Sequence, residues 1–160
     1  MGLIFDTSIL IADERGKFDM AAFLRQFANV QPIIAAITAS ELLHGVERAH
    51  DLNRKVRGQQ HVEQILASIA VQPFDLAQAR HHARIWAELE TRGQMIGPHD
   101  LQIAATALAL GHNVATLNVN EFRQVTGLGV VDASPFRLPQ PVTRQTPFGN
   151  WLNCASFANA

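Results

Sequence analysis

Short apolar runs alternate with helical patterns along this chain, and that alternation limits its fold more than any other feature. Leu3-Ile4-Phe5 is a buried-strand candidate that stops at Asp6. Residues 7–12 and 19–29 read as short helices. The run 33–37 reads as a short strand or a helix entry, and 38–49 as a helix with Leu42, Leu43 and Val46 on its apolar face. Long helical patterns cover 52–70 and 76–92, with a short strand expected at 71–74 between them. Ala79, Ala83, Trp86, Ala87 and Leu89 recur at helical spacing in the second, and Gly93 stops it. Residues 98–110 form a helix rich in small side chains, Ala104, Ala105, Ala107 and Ala109, suited to close approach to a sheet and ended by Gly111. Strands are expected at 114–117 and 130–131. Strands separated by helices imply a parallel sheet covered by helices, an α/β fold whose ligands bind beyond the carboxyl ends of the strands.

The length of 160 residues suits one domain. There is no internal repeat. Domain 1–138 is expected to carry the fold. Residues 139–160 hold three of the seven prolines and one charge, Arg144, and read as a weakly structured or docking extension. Hydrophobic residues at 48% exclude wholesale disorder. A net charge of −1 excludes a strongly basic protein that grips nucleic acid by charge alone. Cys154 is the sole cysteine, which excludes an internal disulfide and a thiolate zinc site. No tract approaches the roughly 18 apolar residues of a membrane span, and Asp6, Asp13 and Glu14 interrupt the N-terminal apolar stretch. The expectation is a cytoplasmic protein with no membrane partner.

The acids at element junctions carry the chemistry. Asp6 has a bland reading as a helix N-cap and a functional one as a metal-binding carboxylate at the sheet edge. Thr38-Ala39-Ser40-Glu41 has capping-box spacing, which would employ Glu41 structurally; alternatively Glu41 points into the crevice of Asp6. Asp100, after Gly97-Pro98-His99, suits the first turn of a helix on dipole grounds alone. Asn118, Asn120 and Glu121 read either as a polar turn or as the rim of the same site, with Thr116 beside it. Each bland reading is adequate alone, but none explains why all the acids fall where the fold turns toward one edge. Carboxylates about 4 Å apart repel by ~4 kcal/mol at an effective dielectric of 20, so such a cluster requires a cation or raised pKa values. Oxygen ligands without cysteine or a histidine pair suit Mg²⁺ or Mn²⁺.

The seven histidines form no H-x-x-x-H or H-E-x-x-H pattern; His99 is a candidate substrate contact beside Asp100. No Walker loop, dinucleotide fingerprint or nucleophile elbow is present. Arg54, Lys55 and Arg57 cluster, and Arg80 and Arg84 share a helix face, either as a solvated surface with Arg84–Glu88 pairing or as a contact for RNA phosphate.

Four segments taken together carry a family resemblance. They are Leu3-Ile4-Phe5-Asp6-Thr7-Ser8, Thr38-Ala39-Ser40-Glu41-Leu42-Leu43-His44-Gly45, Gly97-Pro98-His99-Asp100-Leu101-Gln102-Ile103-Ala104-Ala105, and Thr116-Leu117-Asn118-Val119-Asn120-Glu121-Phe122 followed by Gly127-Leu128-Gly129-Val130. In that order and spacing, to about residue 135, the chain resembles the PIN-domain family, and within it the VapC-type toxins of bacterial toxin–antitoxin pairs. The resemblance implies a three-layer α/β/α domain with a mostly parallel central sheet. It also implies a metal-dependent endoribonuclease using Mg²⁺ or Mn²⁺, working as a homodimer and silenced by a small cognate antitoxin. Asp6, Glu41 and Asp100 fall on the family's metal-binding acids, and Thr7, Ser8 and Thr116 on supporting polar positions. Asn118 stands where many members carry aspartate, and Glu121 is the nearby acid. That departure motivates an alternative, a non-catalytic binding module with the same fold; a Mg²⁺-dependent phosphohydrolase of small phosphate esters is the third reading.

Overall fold

Each strand of the sheet is short, and each is paired to its neighbours in parallel. The computed structural model describes residues 2–139. The expected C-terminal extension, apart from Pro139, lies outside the described residues. The strands are β1 (Leu3–Phe5), β2 (Pro32–Ala35), β3 (Ala70–Gln72), β4 (Asn113–Thr116) and β5 (Val130–Asp132). They lie in the order β3-β2-β1-β4-β5, all neighbours parallel, with Ile4 opposite Ile33 on one side and Val114 on the other. The helices are α1 (Thr7–Glu14), α2 (Met20–Gln26), α3 (Ala36–Glu47), α4 (Leu52–Ser68), α5 (Leu76–Arg92), α6 (Pro98–Leu110) and α7 (Val119–Phe122). The expected α/β/α layering follows.

Side chains alternate across a strand, and β1 shows what this does for the core. Leu3 and Phe5 face a layer built from α1, α2, α3 and α4, with Ile9, Phe23, Val46 and Ile65 buried in it. Ile4 faces the other way, toward Ile85 and Leu89 of α5 and Ile103 of α6. Phe23 centres the first layer. Its ring lies 5.4 Å from Phe5, 5.6 Å from Phe18, 4.9 Å from Phe27 and 5.2 Å from Phe136, in tilted or edge-on contacts that suit aromatic quadrupoles. On the opposite face the small residues of α6 have the expected use. Ala104, Ala105 and Ala107 are fully buried, and α6 packs on β1, β2 and β4 as well as on α5.

Both long expectations at the C-terminal half hold to the residue. α5 opens on a capping box between Asp75 and Gln78 and closes at Gly93, φ 64°; α6 closes at Gly111, also φ 64°, where a left-handed residue suits glycine. The differences lie at junctions. The run after Pro32 is a strand, and α3 begins at Ala36, two residues before the expected start. β3 begins at Ala70 rather than Val71, because α4 ends sooner, at Ser68. The polar stretch after Asn118 is one helical turn, α7, because Val119 and Phe122, three apart, both bury. The expected Arg84–Glu88 pair does not form. Glu88 instead lies 3.5 Å from Arg92 and accepts from the Thr126 hydroxyl, while Arg84 donates to His81 at 3.0 Å. Among the described residues no helix is long and apolar enough to cross a membrane.

Candidate active site

The sheet changes its direction of growth at the β1–β4 pair. From β1 the chain adds β2 and β3 on one side, then crosses back to place β4 and β5 on the other. The connections leaving β1 and β4 diverge there and open a crevice beyond the carboxyl ends of the strands. Asp6 directly follows β1, and Thr116 ends β4.

Asp6 occupies the N-cap position of α1; its carboxylate makes no full cap hydrogen bond, although the Ser8 N–H beside it favours the charged form. Its backbone N–H continues the sheet by donating to the Ala115 carbonyl at 2.9 Å. Its side chain is 2% exposed, and its Oδ2 accepts from the Ser8 hydroxyl at 2.5 Å and the Thr116 hydroxyl at 2.7 Å. These partners are themselves held. Ser8 Oγ accepts from the Leu117 N–H at 3.2 Å, and Thr116 Oγ1 from the Asn118 N–H at 2.8 Å. Burial raises the pKa of Asp6; the Ser8 and Thr116 hydroxyls oppose that rise, and the charge of Glu41 adds to it.

Glu41 is not part of a capping box. With α3 starting at Ala36, it lies past the first turn, and Thr38 is fully buried with no hydrogen-bond partner for its hydroxyl among the described residues. Both Glu41 oxygens are fixed from other segments. Thr7 Oγ1 donates to Oε2 at 2.5 Å, and His99 Nδ1 lies 2.8 Å from Oε1. The carboxylate only accepts, so this ring nitrogen carries the proton. The sequence offered His99 as a contact for substrate; its observed partner is Glu41. Thr7 reaches the site because α1 starts immediately after Asp6.

Asp100 lies in the first turn of α6, as expected. Burial is the main cause that pushes its pKa up to about 8. A hydrogen bond to Glu121 and the charges of Asp6, Glu121 and Glu41 add to it. Asp100 therefore keeps its proton at neutral pH, with Glu121 as its hydrogen-bond partner. Glu121 Oε2 also accepts from the Gly97 N–H at 3.4 Å. That backbone donor was not apparent from sequence, although Gly97 before Pro98 marks the place. A Cβ at residue 97 would come within 3.1 Å of Asp100 Oδ2, so the absence of a side chain leaves room for the carboxyl. Asn118 reaches the site through its backbone, and its side chain is exposed.

Asp6, Glu41, Asp100 and Glu121 thus come from four remote segments to one crevice. Among the described residues, no three histidine, cysteine or acidic side chains already stand around one point as metal ligands. The donor set is nonetheless all oxygen, and Asp100 keeps a proton chiefly because it is buried among other carboxylates. A divalent cation in place of that proton fits this chemistry.

A parallel α/β sheet with a carboxylate cluster at its switch point defines an acid-centred α/β domain. Residues 3–128 match the PIN domain, and the chain belongs to the PIN domain family. It is 38% identical over 135 residues to ribonuclease VapC1 of Rickettsia felis, covering 84% of this chain and 98% of that protein. It is 32% identical over 134 residues to the tRNA(fMet)-specific endonuclease VapC of Shigella flexneri, covering 82% and 97%. The VapBC2 structure from Rickettsia felis, bound to a DNA fragment from their promoter, superposes with a TM-score of 0.75 at 26% identity. That match covers 82% of this chain and 98% of the other.

Proposed function

We propose that this chain is an endoribonuclease, the toxin of a type II toxin–antitoxin pair, hydrolysing RNA phosphodiester bonds with carboxylate-bound Mg²⁺ or Mn²⁺. The carrying observation is the gathering of Asp6, Glu41, Asp100 and Glu121 at the switch point, with Asp100 pushed up to about 8 by burial and neighbouring acids. Perturbed carboxyls in a crevice mark functional sites. Asp6, Glu41 and Asp100 hold the cation. Glu121, bonded to Asp100 and Gly97, supplies the fourth acid in preference to Asn118, whose side chain is exposed. When bound, the ion lowers the pKa of a water and neutralises charge on the phosphate. Ser8 and Thr116 fix one oxygen of Asp6, leaving the other for ligation. Thr7 and His99 fix Glu41, so either Glu41 or Asp100 orients the attacking water.

Domain 1–138 carries this activity. The protein works in the cytoplasm as a homodimer and is silenced by a small cognate antitoxin, a reading supported by the VapC and VapBC relatives. Purified Asp6→Asn and Asp100→Asn variants are expected to lose cleavage of an RNA pool in Mg²⁺ or Mn²⁺ while keeping their far-UV spectra. Metal-dependent cleavage retained in both would refute the assignment. Absence of Mn²⁺ binding by titration calorimetry, with no cleavage in the wild type, would favour the non-catalytic module instead.

A further inference from the structure

Beside the acid cluster, across α7, lies an open cavity of about 450 Å³ that the cleavage reaction as described does not use. Its walls come from Asn118, Asn120, Glu121 and Arg123 on one side and Asp132 and Ser134 on the other. The volume falls within the range of about 300–1,000 Å³ typical of small-molecule sites, enough for one nucleotide. Glu121 belongs to both sites, because it lines the cavity while its Oε2 turns to Gly97 and its carboxyl to Asp100. The cavity therefore adjoins the acid cluster through the single helical turn of α7, whose four residues span about 6 Å along the axis, the scale of one step along an extended strand.

The polar groups around the cavity are available to a ligand. Among the described residues, the amides of Asn118 and Asn120 and the guanidinium of Arg123 make no hydrogen bond or ion pair, and all three side chains are exposed. Asp132 is already engaged, accepting from the Ser134 N–H at 2.8 Å. Arg123 is the cation among these lining residues, and its charge acts on Asp132, as does that of Arg137 from outside the lining. A phosphate has one favourable place in such a field, at Arg123, and a planar guanidinium suits it. A neutral base then lies toward the amides, which pair with base edges in both donor and acceptor senses.

Resting on the nuclease reading above, we propose that this cavity holds the nucleotide next to the scissile phosphate. Arg123 grips its phosphate, and the Asn120 amide reads its base, so the α7 wall contributes to the choice of cut site. Arg123 and Asn120 are positioning and specificity residues here, and the acids remain the chemistry.

The test uses the full chain with a fluorescein-labelled single-stranded RNA that the wild type cuts. Arg123→Ala is expected to raise KM about tenfold with kcat changed less than twofold, and to lower the salt dependence of binding by about one phosphate contact. Arg123→Lys should recover part of that loss. Asn120→Ala is expected to reduce the preference at the nucleotide flanking the cut by about tenfold, read by sequencing the 5′ ends of products. Arg25→Ala, on α2 in the other helical layer, removes the same charge and should leave both readouts unchanged. Wild-type values of KM and cut-site preference in Arg123→Ala and Asn120→Ala would overturn the cavity proposal alone. An RNA pool that the wild type neither binds nor cuts would overturn the nuclease reading and the cavity with it.

Discussion

The proton held at Asp100 makes the stability of the metal-free protein depend on pH in an unusual direction. Most structural carboxylates have lowered pKa values and lose stability as acid is added. Asp100 is raised to about 8, so the folded chain keeps a proton that the unfolded chain, at the ordinary value of 3.8, has already lost. Its contribution is full below the unfolded value, declines as pH rises above it, and is gone once pH passes about 8. A displacement from 3.8 to about 8 corresponds to about 6 kcal/mol at 1.36 kcal/mol per pH unit, if solvent is excluded. Asp100 is only half-buried, and screening by water brings the expected loss to about 2 kcal/mol. For a chain of this size that is a fall in Tm of roughly 4–8 °C. The assay is thermal unfolding in chelator at pH 5, 7 and 9, comparing wild type with Asp100→Asn. The wild type should lose stability steadily across the series. Asp100→Asn, which cannot ionise, should lose much less and be the more stable protein at pH 9. Adding Mn²⁺ at pH 9 should restore the wild type and leave the variant nearly unmoved. Equal pH slopes in the two proteins would refute the argument that Asp100 carries the crowded proton.

Two further outcomes follow from individual contacts. Thr116→Val removes the buried hydroxyl that donates to Asp6 and should weaken Mn²⁺ binding about 10–100-fold by calorimetry, with the fold retained. Phe23→Ala empties the centre of the aromatic cluster and should cost about 3–5 kcal/mol in urea unfolding, an effect on stability with no direct effect on the acids.

What the sequence disclosed of this molecule depended on whether a signal was local. The long helices α5 and α6 were legible because stop signals and apolar spacing sit within the same dozen residues, at Gly93 and Gly111. Asp6 and Asp100 were legible as site candidates because each acid directly adjoins a strand or helix start. Glu41 was harder. The Thr38–Glu41 spacing imitates a capping box, but α3 starts directly off β2 at Ala36 without a capping side chain, and Thr38 is taken into the core. Tertiary packing overrode a correct local rule. The His99–Glu41 bond joins positions 58 residues apart, and no local pattern indicates it. Likewise, α7 looked like a turn because three polar or acidic residues, Asn118, Asn120 and Glu121, outweighed the Val119–Phe122 spacing until a core was present to receive both. The Asn118 departure was legible as a gap in the acid set, and Glu121 could be named as its neighbour. The proton held at Asp100 beside it required the fold.

The placement of β1 at the centre of the sheet bears on when the proposed nuclease centre can first act. Asp6 is synthesised well before the Thr116 hydroxyl that fixes it, which lies 110 residues further on, and β4 must insert beside β1 before the two meet. Glu41, Asp100 and Glu121 join in between and just after. On the nuclease reading proposed above, a chain lacking β4 has no partner strand to fix Asp6 and no assembled acid cluster. The centre assembles only once the strand that closes it has emerged and docked. If the toxin reading proposed above holds, synthesis thus leaves an interval in which an antitoxin can be made before there is any activity to restrain.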